Sequence, residues 1–529
     1  MKKLLALVVS LSLVATFAAP AQSAGAKYKV YQKTLSAFSS TTTTLTNQQK
    51  AQVKAAVEAN PDSEKFICTG IKLHNQFLSS VNLMVRKRAK ATCEYAKQLN
   101  PKLSTWYQSK PTKARNYVGK VLITVKTPIT GNDLDTETSP GKGNSSSDNP
   151  PAAADGLSDA APCRIKQLNV SEHQAVRAGF PQHSDYVLPS SRKLVVQLIF
   201  VDSSDLVARS SPSADAQFLS LGAGGFLEDV LESSVKFEWK FESEYFRLPK
   251  KISEYGLTRN GHGDLSTFVQ DAISVADFKV DFTGVDIVVA VLPPETTNAH
   301  ADFSSALPRT KRFSFETAEG QVYRATMVGA DMLWNEGYLL LAHEIGHLLG
   351  LQDYYSYSWK QGDSYEAQFK YMGEFDNMSY ANGRAKEWTA WSRWLIGGLS
   401  DDQVLCITAQ TNATVNIAAL AKGSSGAKMA VIPIGTGKAL VMESRKAIRH
   451  DSRLGVENEG LLVYRVDTSR VSGYGPLEVV RKASLRDRFL LDAPLRQGES
   501  LEVDGWKIQN ISSTQDGEVV KVEKVGLQN

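Results

Sequence analysis

The spacing of apolar positions changes along the chain and divides it into stretches of different character. Residues 46–59 and 83–99 carry apolar side chains at helical spacing among polar ones, and 118–125 (VGKVLITV) reads as a strand. Together they predict a small αβ unit over 45–126. Residues 127–162 hold no aromatic side chain and are dominated by Pro, Gly, Ser, Asn, Asp and Ala. Such a stretch buries too little apolar surface to offset its ordering entropy, so it reads as a disordered linker. From residue 163 the pattern tightens. Residues 194–201 (LVVQLIFV) and 286–292 (DIVVAVL) are unbroken apolar runs, as in strands buried on both faces. A helical stretch around 226–233 and the alternating VKFEWKF lie between them. Beyond residue 405 strand follows strand: ATVNIAAL, MAVIPI, ALVMES, GLLVYRVD, SLEVDGW and EVVKVEKV. The expectation is an α/β (α+β) domain over 163–405 and a β domain over 406–529.

Composition narrows this little. The chain has 529 residues, 42% hydrophobic and 22% charged, which is ordinary for globular domains. A net charge of +4 gives no electrostatic argument for nucleic acid or a membrane surface. The first residues say more. Met1-Lys2-Lys3 precedes an apolar run from Leu4 to about Ala19, and Ala19-Pro20-Ala21 has the small-x-small form of a signal-peptidase site. Residues 1–24 therefore read as a secretory signal peptide, cut between Ala21 and Ala26, with no later transmembrane segment. Export makes disulfides permissible. With 4 cysteines, Cys68–Cys93 and Cys163–Cys406 are the simplest of three connectivities.

The chemistry gathers in EGYLLLAHEIGHLLGLQDYY, which contains His343, Glu344, His347, Gly350 and Asp353. On a helix, residues four apart lie roughly 40° apart around the axis and about 6 Å along it. Two imidazoles so placed reach one metal ion, and zinc accepts neutral histidine nitrogens while keeping a position open. Glu344, beside the first ligand, is placed to act as general base towards an attacking water. Gly350 lets the backbone turn, returning Asp353 as the third ligand; Glu374 and Asp376 remain alternatives for that place. With 8 histidines in 529 residues, H-E-x-x-H alone arises by accident on the order of once in a hundred such chains.

Downstream, GEFDNMSY resembles the Met-turn of metzincin-type zinc peptidases, with Met378 as the residue flooring the metal site and Tyr380 two positions on. Tyr380 either approaches the ion or simply packs. More broadly, residues 163 to about 475 resemble the immune-inhibitor-A-type secreted metallopeptidases. The resemblance rests on H-E-x-x-H-x-x-G-x-x-D, FLEDVLESSVKFEWKFESEYFRLP, DIVVAVLPPE, AWSRWLIGGLS, and ALVMESR followed by GLLVYRVD. It implies a metzincin-like fold, one catalytic zinc, and endopeptidase activity on protein or peptide substrates. His343, His347 and Asp353 become its ligands and Glu344 its base. The stretch SSVNLMVRKRAKATCEYAKQLNP resembles the helix of OmpA-type peptidoglycan-binding domains, with Arg88 at the place of that family's peptide-holding arginine. The family's aspartate has no counterpart in CTGIKLHNQFLSS. The expected protein is secreted, with cell-wall association through residues 45–126 as a variant of that reading. Two alternatives stand beside it: a zinc amide hydrolase acting on peptidoglycan peptides, and a non-catalytic wall-binding protein.

Remaining features have plainer readings. Trp388, Trp391 and Trp394 are spaced as one helix face, either a core face or a sugar-stacking platform. Cys163 offers a thiolate switch or, in an exported protein, a disulfide to Cys406. His262 sits in a turn sequence, Asn-Gly-His-Gly-Asp. Asp363, Glu374 and Asp376 are carboxylates of the kind that hold Ca2+, but without a regular loop spacing.

Overall fold

The computed structural model describes residues 28–525, apart from 39–41, 74–78, 113–118, 129–158, 170–175, 190, 233, 258–262, 298–299, 302–304, 308–313, 330–336, 361, 409–411 and 424–425. The signal-peptide segment, most of the expected linker and His262 lie outside the described residues. The chain is a mixed α/β protein with several sheets and few helices, and it divides into two compact units, Met1–Ser146 and Ser147–Asn529.

In the first unit, helices Asn47–Glu58 and Ser79–Leu99 accompany a four-stranded sheet ordered Tyr28–Thr34, Val121–Pro128, Lys65–Leu73, Ser104–Thr112. Thr46 starts the first helix as one half of a capping box with Gln49, which satisfies amides the helix itself cannot. The second helix lies directly on the sheet. At Gly70 an added Cβ would stand 2.1 Å from the Val85 carbonyl oxygen, so only glycine permits that approach. Cys68–Cys93 fastens strand to helix at the same place. Strand Tyr28–Thr34, which the hydrophobic pattern did not announce, pairs antiparallel with Val121–Pro128.

The second unit starts from a sheet ordered Lys236–Phe241, Lys193–Asp202, Ile287–Val291, Ala325–Val328, Ser305–Leu307. The first four run parallel and Ser305–Leu307 is antiparallel. Helix Leu265–Ala276 buries Leu265, Phe268, Val269, Ala272, Ile273 and Ala276, an i, i+3, i+4, i+7 stripe that meets Val288 and Ala290 of the sheet in one cluster. Ile287, Val289 and Val291 point to the opposite face and are equally buried, which explains the unbroken apolar run. Helices Ser213–Val230 and Tyr338–Leu348 pack on each other, and the latter also touches Ser305–Leu307 and Ala325–Val328.

The strand-rich remainder forms two sheets. One is ordered Val404–Cys406, Met429–Gly435, Lys438–Arg445, Gly460–Asp467, Leu477–Val479; the other Asn412–Ala418, Gly517–Lys524, Trp506–Thr514, Ser500–Val503. Val415, Ile417, Leu440, Met442, Leu461, Val463, Ile508 and Val520 fill the space between them, as in a β-sandwich. Strand Lys438–Arg445 is buried on both sides. Leu440 and Met442 face the sandwich core, whereas Glu443 and Arg445 face the segment 385–394. The sandwich is thereby part of one compact unit with the parallel sheet, and Cys163–Cys406 adds a covalent tie. Among the described residues, no helix is long and apolar enough to cross a membrane.

Candidate functional site

Tyr338–Leu348 is the helix that carries the histidine motif, with Leu339, Leu341, Ala342, Ile345 and Leu348 buried around it. It ends in a Schellman arrangement: Leu351 N–H donates to Gly346 O (2.9 Å) and Gly350 N–H to His347 O (2.9 Å). Gly350 sits at φ +99°, and a Cβ there would meet Gln182 Nε2 at 2.4 Å. Glycine is therefore favoured by the turn itself, while the Gln182 amide could shift to admit a Cβ. The reversal aims the Leu351 carbonyl and Asp353 back at the helix.

The result is a convergence of His343, His347 and Asp353. Asp353 Oδ1 lies 3.0 Å from His343 Nε2 and 3.2 Å from His347 Nε2. Among the described residues, no other three His, Cys, Asp or Glu side chains stand close enough to share an ion. Each imidazole is oriented through its other nitrogen: His343 Nδ1 is 3.0 Å from Asn377 O, and His347 Nδ1 is 2.8 Å from Leu351 O. A carbonyl accepts only, so both Nδ1 atoms carry the hydrogen and both Nε2 lone pairs are left for a ligand. Apart from the two imidazoles, Asp353 Oδ1 is buried without a hydrogen-bond donor. Two imidazoles and a carboxylate aimed at one point are a donor set that a divalent cation fits. The electrostatics agree. Burial resists charging the imidazoles, but in the metal-free chain the Asp353 carboxylate overrides it and raises His347 to about 9, so a proton there takes the place that a cation would fill. Burial likewise opposes charge on Asp353, and the two imidazoles hold it well below the usual carboxylate range. The cluster thus recruits positive charge. Glu344 is buried on the same helix, adjacent to His343.

The Asp376–Asn377–Met378 turn supports this arrangement from below. Asp376 holds φ +76° and accepts from Met378 N (2.9 Å), Thr389 N (2.7 Å) and Ser392 Oγ (3.0 Å). Burial nevertheless pushes its carboxyl up. Asn377 gives its carbonyl to His343 and its Nδ2 to Leu339 O (3.0 Å). Met378 is buried, and a Cβ on Gly346 would stand 2.6 Å from its Sδ, so the methionine presses on the motif helix one residue before His347.

Of the alternative third ligands, Asp376 is committed to the turn and Glu374 to Arg384, which approaches it within 2.9 Å. Asp363 Oδ2 accepts from Lys360 N. Tyr380 stacks on Phe369 with ring centroids 4.3 Å apart, beside Tyr365 and Phe489. Trp388, Trp391 and Trp394 are all buried; Trp391 Nε1 donates to Ala178 O and Trp394 Nε1 to Asp401. They form core, not a sugar platform. Cys163 is disulfide-bonded to Cys406 and has no thiolate to offer. Arg88, in the first unit, is buried and donates to Thr42 O (2.8 Å) and Gly119 O (3.2 Å).

Sequence reasoning missed Tyr357, whose hydroxyl donates to Asp353 Oδ2, and Ser472, whose Oγ accepts from Asp353 N (2.9 Å). It also missed the two carbonyls that orient the imidazoles. The tyrosine-rich run after Asp353 was the one local signal for Tyr357. Nothing in sequence connects Ser472 to a residue 119 positions earlier.

No protein-family model matches the chain, and no curated protein matches it. Among solved structures, the OmpA-like domain of FopA1 from Francisella tularensis subsp. tularensis SCHU S4 is similar at 19% identity, over 20% of this chain and 81% of that one, with a TM-score of 0.16. So slight a likeness carries no argument about function.

Proposed function

We propose that the chain is a secreted zinc-dependent endopeptidase with a metzincin-like catalytic region, hydrolysing peptide bonds in proteins. The observation that carries this is the convergence of two Nδ1-tethered imidazoles and one buried carboxylate oxygen, with an acid beside them on the same helix. The donor set fits zinc, as His343 Nε2, His347 Nε2 and Asp353 would hold it and leave a position open. Zinc bound there supplies a Lewis acid for the scissile carbonyl and the attacking water. The rest falls to the chain. Asn377 and Leu351 carbonyls fix the imidazole tautomers, and Met378 with Gly346 fixes the height of the helix. Glu344 takes the proton from the attacking water and delivers it to the departing amine. Two disulfides support an exported location. The test is casein hydrolysis by the purified chain before and after chelation. The reading requires loss of activity on chelation and recovery with stoichiometric Zn2+; hydrolysis untouched by chelation counts against it.

A further inference from the structure

The third ligand is held from outside the motif. Asp353 N–H donates to Ser472 Oγ (2.9 Å), and Gly473 N–H donates to Asp353 O (3.0 Å). Tyr357 N–H donates to Gly473 O (3.0 Å), and the Tyr357 hydroxyl donates to Asp353 Oδ2 while lying 3.4 Å from Ser472 Oγ. Residues 472–473 follow strand Gly460–Asp467 and so belong to the five-stranded sheet's connection, not to the helix-bearing region. The fit leaves little slack. Gly473 adopts φ +76°, and a Cβ on it would stand 2.1 Å from Tyr357 Cγ and 2.3 Å from Cδ1. Asp353 is thus pinned at its amide, its carbonyl and its outer carboxylate oxygen, which leaves Oδ1 to face the two Nε2 atoms.

We propose that Tyr357, Ser472 and Gly473 form a clamp, completed by the C-terminal β region, that positions Asp353 as the third metal ligand. The inference rests on the zinc reading above. Tyr357 is a positioning residue: its hydroxyl occupies one carboxylate oxygen so that the other serves the ion. Partners of this kind orient a ligand and tune its basicity, and losing one typically lowers metal affinity about 10- to 100-fold. It also follows that residues 163–405 alone lack part of the metal site.

The experiment uses the full mature chain and its Tyr357→Phe, Ser472→Ala and Gly473→Ala variants. Zn2+ affinity is measured by chelator competition, the visible spectrum is recorded with Co2+ in place of zinc, and melting is followed in excess chelator. Tyr357→Phe is expected to bind Zn2+ about 10- to 100-fold more weakly and to shift the Co2+ bands, with unchanged melting of the metal-free chain. Gly473→Ala should reproduce the shift by displacing the ring, and Ser472→Ala should give a smaller one. Wild-type affinity and an unchanged Co2+ spectrum in Tyr357→Phe overturn the clamp. So does weaker binding that merely tracks a loss of metal-free stability with the spectrum intact. A wild-type chain that binds no Zn2+, or whose Zn2+ is indifferent to His343→Ala, overturns the zinc reading itself.

Discussion

Two clusters of buried ionisable groups lie in the second unit, and they are built on opposite logic. At the junction of the β-sandwich with segment 385–394, acids are matched to cations. Arg445 Nη1 is 2.9 Å from Glu443 Oε1 and its Nη2 2.7 Å from Asp451 Oδ2, with Ala385 and Glu387 carbonyls taking further donors. Glu387 pairs with Arg393, and Glu443 Oε2 also accepts from Ala390 N and Tyr464 Oη. At the histidine cluster, two imidazoles and a carboxylate meet around one point. Both clusters are largely buried, so water does little to screen their charges. The first carries its cations as side chains of its own and fixes how two layers dock. The second has only its own imidazoles to set against the carboxylate. Burial alone does not mark a candidate site; metal-ligating groups converging on one point do.

This contrast can be broken at several points, with effects of decreasing size on stability. Arg445→Met leaves Glu443 and Asp451 buried without their guanidinium and should cost about 3–5 kcal/mol, read as a lower denaturation midpoint. Removing the Cys163–Cys406 disulfide by Ala substitution should cost about 2–5 kcal/mol, since it closes a long loop onto strand Val404–Cys406. Gly346→Ala drives a methyl into Met378 and Trp388, an overpacking worth about 1–3 kcal/mol; Met378 can yield, so the lower half of that range is expected. Asp353→Asn should move the midpoint of the metal-free chain less than Arg445→Met does, while sharply weakening metal binding. A reversed ranking, with Asp353→Asn more damaging to the metal-free fold than Arg445→Met, would sink the distinction between the two clusters.

How far the sequence reveals this depends on range. Period-2 and unbroken apolar runs located the strands at 193–202, 287–291, 438–445, 460–467 and 517–524 within a residue or two, because burial of one or both faces is written locally. His343, Glu344 and His347 were legible for the same reason: helical spacing puts them together without help from the rest of the chain. Asp353 was legible only as one of three acids. The choice rests on the Schellman turn at Gly350, on Arg384 occupying Glu374, and on the amides occupying Asp376. The clamp at Ser472 and the Arg445 network were invisible, since both join residues far apart through backbone atoms or through charges that look like ordinary surface residues. Equally hidden were the bonds from Arg88 to Thr42 O and Gly119 O, which join it to residues 46 and 31 positions away.

The most direct test of the central claim separates the base from the metal ligands. Glu344→Gln removes the proton acceptor while leaving His343, His347 and Asp353 in place. Casein hydrolysis and Zn2+ content should be measured together on this variant and the parent chain. The account predicts one Zn2+ per chain in both and a fall in hydrolysis of about 10^2- to 10^4-fold in the variant. Undiminished hydrolysis by Glu344→Gln with its zinc in place would contradict it.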